Sequence, residues 1–224
     1  MPRSLIPAML SAVLAISLVC SNAIRHGHAD VPIAATADEI QPLVAGDPAP
    51  RFIVRTVEGK PFDFNPEQLE RPAVLLTFRG GWCPYCNMYL SDMRHVVPDV
   101  RELGVDVLFL SGDGPAQLYE SLEGGTQEEI EGLDYTILSD GDAQAAIALG
   151  IAFKASERTI RRRYEKGQDI ADSSMASQGV LPVPAVFAID TDGTVRFSYV
   201  NPDYKTRLPA DELLAVAQRI ATAD

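Results

Sequence analysis

The sequence predicts an α/β layer fold with a mixed central sheet flanked by helices, and three observations carry that expectation. Residues 73–78, an unbroken apolar run, have the length and composition of a strand buried on both faces, and residues 105–110, apolar but for Asp106, read as the next buried strand. Between them Cys86, Leu90, Met93, Val97 and Val100 recur at spacings of three and four, the period of a helix with one face on a sheet. Hairpin patterns stand on either side of this βαβ unit, which adds antiparallel strands to a parallel centre.

Each element follows in order. Residues 1–23 read as a secretory signal: Arg3 supplies a short positive region, residues 5–19 an apolar stretch too short for a membrane span, and Ser21-Asn22-Ala23 a small-x-Ala cleavage pattern. A second cleavage pattern ends at Ala29. Residues 24–45, rich in Ala, Pro and Asp, read as a linker, and the folded domain as 46–224. Residues 52–57 and 61–64 form an N-terminal β-hairpin around Glu58-Gly59. Pro98 is expected to kink the helix after the cysteines, and Gly104 to stop it. Residues 135–138 make a short strand, and Asp140 or Asp142 caps the helix that runs through Leu149. Residues 156–165 look helical and 166–180 loop-like. Residues 185–189 and 194–200 form the second hairpin, and 210–221 a closing amphipathic helix. Neither an internal repeat nor a second domain is visible.

The 31 acidic residues outnumber the 19 basic ones, giving a net charge of −12 that argues against nucleic acid or an anionic membrane as partner. After removal of the signal no membrane span remains in the reading. Export removes Cys20, leaves Cys83 and Cys86 alone, and places them where disulfides persist.

Those two thiols lie in Arg79-Gly80-Gly81-Trp82-Cys83-Pro84-Tyr85-Cys86, at a strand-to-helix turn. A helix N-terminus offers unpaired N–H groups and partial positive charge, both of which favour a thiolate. Residues i and i+3 on one turn are close enough to close a disulfide. A C-x-x-C beside a βαβ pattern reads as a thioredoxin-like redox site. A zinc site would need two further ligands, and His95 falls on the opposite side of the helix while His26 and His28 lie in the linker. No metal or other cofactor is expected. Trp82 walls one side of the site or is a plain core aromatic, or both. Pro84 suits the first helical position. Arg79 either stabilises a thiolate and polarises an oxidant or forms a salt bridge at the strand end; the sequence leaves both open. Pro184, just before a buried strand, stands where a cis-proline would face a C-x-x-C turn, though the sequence does not show the isomer. Arg158, Arg161, Arg162 and Arg163 read as a solvated helix face or a docking patch for an acidic reductase.

The segment from Phe78 to Asn87 resembles the signature of peroxiredoxin-like proteins of the alkyl hydroperoxide reductase C / thiol-specific antioxidant family. Leu181-Pro182-Val183-Pro184-Ala185 with Phe187, Ile189-Asp190 and Asp192-Gly193 resembles its second block. Val200-Asn201-Pro202-Asp203-Tyr204 with Arg207 is similar too. The resemblance implies a thioredoxin-like fold, thiol-dependent reduction of hydrogen peroxide or organic hydroperoxides, and a thioredoxin-like reductant; it also allows a homodimer. It implies that Cys86 attacks peroxide and Cys83 resolves, whereas position alone favours Cys83 for attack on disulfides. Aligned this way, Cys83 replaces the family's threonine, Arg79 its proline, and Pro184 its second-block arginine. The other readings are an exported thiol-disulfide oxidoreductase and a non-enzymatic binding module on the same fold.

Overall fold

The structure, a computed structural model, describes residues 32–121 and 136–222. The expected signal with both cleavage patterns, together with Tyr135, falls outside the described residues. Seven strands form one sheet: β1 (Phe52–Arg55), β2 (Pro61–Phe64), β3 (Ala73–Phe78), β4 (Asp106–Ser111), β5 (Thr136–Ser139), β8 (Ala185–Ile189) and β9 (Val195–Val200). Their order is β2-β1-β5-β4-β3-β8-β9. The centre, β5-β4-β3, is parallel and the flanks are antiparallel, the mixed sheet the sequence predicts. Two further strands, β6 (Ala152–Lys154) and β7 (Val180–Pro182), pair separately.

Because β3 is covered on both sides, its residues divide between two cores. Val74, Leu76 and Phe78 face α1 (Pro84–Met93), α2 (Val97–Glu102) and α7 (Ala210–Ala221); Ala73 and Leu75 face α4 (Gln144–Ala148) and the N-terminal segment. Every residue of β3 is buried, which is why the run lacks the alternation of a one-sided strand.

Four local expectations change. Pro98 does not kink a long helix; it starts a second one. Its ring has no N–H for the Arg94 carbonyl, so α1 ends at Met93, residues 94–96 turn, and α2 begins at Val97. Residues 32–45, expected as linker, lie along the protein: Ile33, Ala37, Ile40 and Leu43 pack on the second core, and Ala34 bridges Phe153. The loop-like stretch 166–180 contains α6 (Ser174–Ser177), whose cap is Ser173, and leads into β7. The Val183–Pro184 peptide is trans, as is every peptide bond among the described residues. Thr77 latches this turn to β3: its hydroxyl accepts from Ala185 N at 2.8 Å and donates to the Val183 carbonyl at 3.3 Å.

Elsewhere the expectations hold. Gly104 ends α2 at φ +78°, a left-handed conformation that suits glycine. The helical stretch 156–165 is α5 (Glu157–Glu165), capped by the Ser156 hydroxyl.

Candidate active site

Strand β3 delivers the chain to the site and α1 carries it away. Cys83 is the N-cap of α1, and its carbonyl accepts from Cys86 N at 2.9 Å and Asn87 N at 3.1 Å. Pro84 takes the first helical position, as predicted, where its missing N–H breaks no bond. The Asn87 amide donates to the Gly81 carbonyl at 2.8 Å and closes the turn from the helix side.

Cys83 and Cys86 are both free thiols, with their sulfurs 2.6 Å apart. That separation is only slightly longer than the roughly 2.05 Å of a disulfide bond. Cys86 is fully buried; Cys83 is 2% exposed but lines a pocket of about 220 Å³. The two titrate in opposite directions. Hydrogen bonding from Cys86 draws Cys83 down to about 6, against the effect of burial and with help from the Cys86 N–H and the Arg79 and Arg207 guanidinium groups. Burial, then the hydrogen bond to Cys83 and its charge, push Cys86 well above its ordinary value. The opposite directions make Cys83 the thiol of the pair that ionises more readily.

Arg79 is 7% exposed and pairs with no carboxylate among the described residues, which does not support the salt-bridge reading at the strand end. Its guanidinium stacks 4.1 Å from the Tyr204 ring centroid and 5.7 Å from that of Phe153. Burial lowers its pKa, and the two cysteines oppose that. Trp82 is both wall and core residue: it is buried, Arg163 lies 4.6 Å over its ring, and its carbonyl accepts from Gln168 Nε2 at 2.9 Å. Pro184 is buried at the start of β8 and is absent from the pocket lining. His95 is exposed in the turn between α1 and α2, and it does not line the pocket at Cys83.

Sequence reasoning missed three contributors. Arg207, 121 positions beyond Cys86, donates from Nη2 to its sulfur at 3.4 Å. In the sequence it stands in a family-like block that gives it no role. Tyr204, in the same block, packs edge-on against Tyr85 with centroids 5.6 Å apart and holds Arg79. Asp113, in the turn after β4, sits directly behind the cysteine loop. Its Oδ2 accepts from Gly81 N at 2.7 Å; its Oδ1 and the Trp82 indole Nε1 are both buried with no protein partner. Burial raises Asp113 to about 7, opposed by the Gly81 and Ser111 hydrogen bonds and reinforced by Cys86 and Asp172. Gly80 makes the packing possible. At φ +142° it tolerates no ordinary side chain, and a Cβ there would overlap both the Asp113 carboxyl and the Trp82 indole nitrogen.

Residues 45–198 match the AhpC/TSA family, more than half of the chain, and the protein belongs to that family. Among curated relatives it is 27% identical to peroxiredoxin Bcp of Escherichia coli K12 over 78% of this chain and 96% of that one. It is 26% identical to the thiol-disulfide oxidoreductase ResA of Bacillus thuringiensis Al Hakam over 73% of each. In fold it resembles the peroxiredoxin 6 of Arenicola marina (TM-score 0.60, 23% identity, 79% of this chain and 72% of that one). It also resembles peroxidoxin BcpB of Mycobacterium tuberculosis (TM-score 0.55, 19% identity, 80% and 98%). The expected family and thioredoxin-like fold therefore stand, and with them a peroxiredoxin-like thiol peroxidase class.

Proposed function

We propose that this protein is a thiol peroxidase that works through the Cys83–Cys86 pair. The observation that carries the reading is the asymmetry of the two sulfurs: an activated Cys83 at the pocket and a protonated Cys86 behind it, 2.6 Å away. Cys83 thiolate attacks the distal peroxide oxygen; the O–O bond breaks, water or an alcohol leaves after taking up a proton, and Cys83 becomes a sulfenic acid. Cys86 sulfur then attacks Cys83 sulfur, forming the disulfide and releasing water. The Cys86 proton passes to the departing hydroxide to complete the water, and Asp113, whose carboxyl titrates near neutrality close behind the loop, is the group suited to relay it. A thioredoxin-like dithiol restores both thiols by exchange. This order reverses the one that family alignment implies, because the buried, high-pKa Cys86 is the poorer nucleophile.

The test uses the two serine variants. Cys86→Ser should stop after one oxidation and carry a dimedone-trappable sulfenic acid on Cys83. Cys83→Ser should lose peroxide reactivity by at least about a hundredfold, since a protonated thiol replaces a thiolate. Full turnover in both variants would refute the mechanism.

A second reading, an exported thiol-disulfide oxidoreductase, is favoured by the C-x-x-C pair at the helix cap and by the ResA relationship. The ratio of peroxide turnover to insulin-disulfide reduction in one preparation separates the two. Export itself rests on the N-terminal sequence pattern, and N-terminal sequencing of the protein recovered outside the cytoplasm checks it.

A further inference from the structure

The pocket at Cys83 is a positive enclave in a strongly acidic protein. Arg79, Arg162, Arg163 and Lys166 all line it, with Tyr204 and Trp82 between them. None of the four cations pairs with a carboxylate among the described residues. Arg163 instead donates to Gln168 Oε1 at 3.2 Å, and the Arg79 and Arg163 Nε atoms are buried with no partner. Among the described residues, no acidic side chain lines this pocket. Arg162 and Lys166 are four apart on or just beyond α5, so both project to one side and remain exposed at the rim. An ionised Cys83 answers only one of these four positive charges, and a second anion entering the pocket offsets the cost of the rest. The volume is below the roughly 300–1,000 Å³ of drug-sized ligand sites, which suits a small molecule rather than a protein segment.

We propose that this pocket selects small carboxylate-bearing reactants for Cys83. The proposal deepens the thiol-peroxidase reading and rests on it for the oxidising half only. Two sources supply the same chemistry. A carboxylate-bearing organic hydroperoxide gives its distal oxygen to Cys83 and leaves as the alcohol. A carboxylate-bearing thiol attacks Cys83 sulfur of the oxidised pair as its thiolate, expelling Cys86; a second such thiol attacks the mixed disulfide, releasing the small disulfide and the reduced pair.

The experiment is stopped-flow kinetics on matched pairs. The oxidation arm compares tert-butyl hydroperoxide with a hydroperoxide of similar size that bears a carboxylate. The reduction arm compares 2-mercaptoethanol with 3-mercaptopropionate, each expressed per thiolate. The anionic member should react at least about tenfold faster at low salt. The advantage should shrink in 0.5 M salt, where the screening length is down to a few ångströms. In Arg162→Ala/Lys166→Ala it should fall towards one, read as the ratio within that protein. A preference in one arm identifies the source. Ratios near one in both arms, or a ratio that survives the double variant and high salt, overturn the proposal. If hydrogen peroxide still reacts in that case, the peroxidase reading stands without it. If no peroxide reacts but the thiol arm shows the preference, the pocket assignment stands and the peroxidase reading falls.

Discussion

The turns that follow β4 and β5 each bury an aspartate, and the two serve opposite ends. Asp140 has both oxygens occupied, Oδ1 by Ala145 N and Oδ2 by Ala146 N, each at 2.9 Å. Asp113 has one oxygen on the Gly81 N–H and the other without a partner. Burial raises both to about 7. The turns even hold each other, since Ser139 donates to the Asp113 carbonyl at 2.8 Å and Asp140 N to the Ser111 carbonyl at 2.7 Å. A shifted pKa therefore does not single out a working group. What separates the two is the unfilled acceptor and what lies beside it: a helix start for Asp140, the cysteine loop at Gly80, Gly81 and Trp82 for Asp113.

That contrast can be broken by substitution. Asp140→Ala strips two buried N–H groups of their acceptor and should cost about 3 kcal/mol in urea unfolding, leaving the ratio of peroxide to thiol reactivity as it was. Gly80→Ala forces a Cβ onto the Asp113 carboxyl and Trp82, at a φ alanine rarely adopts; a loss of roughly 2 kcal/mol is expected, with slower disulfide formation. Asp113→Asn keeps an oxygen for Gly81 but removes the titration. In the native protein disulfide formation should accelerate as pH rises through about 7, where the carboxyl becomes able to take a proton. The variant should lack that rise and run about tenfold slower at pH 8; an unchanged profile would leave Asp113 a purely structural group like its counterpart.

The last effect is on stability against pH. Both carboxyls are raised in the folded state, so each favours folding below about 4 and loses that contribution as pH rises through about 7. Asn at either position should flatten this fall, measured by urea midpoints between pH 4 and 7.

Much of this was legible. The six-residue apolar run of β3 could only be a strand covered twice, Pro84 after Cys83 could only open a helix, and Ser156 announced α5. The cysteine pair and its flanking Arg79 and Trp82 were in place because a single turn of chain holds them. The strands β6 and β7 were not legible, since three residues each carry no usable period. The basic cluster 158–163 read as a solvated helix face or a docking patch, and the structure places Arg163 in the lining of the Cys83 pocket and Arg162 at its exposed rim, while Arg161 pairs with Glu165 at 3.8 Å.

The sequence by itself determined the sheet, the helix cap and two thiols three positions apart, because strand burial, proline at a helix start and i, i+3 proximity are all local consequences of residue type. Only the tertiary structure decided which thiol is ionised and what surrounds it. That depends on Asp113, Gln168, Tyr204 and Arg207, which arrive from other elements, and on burial, which no spacing rule reports. Electrostatic effects act through space at a few ångströms, so they are set by the neighbours that folding brings together rather than by neighbours along the chain.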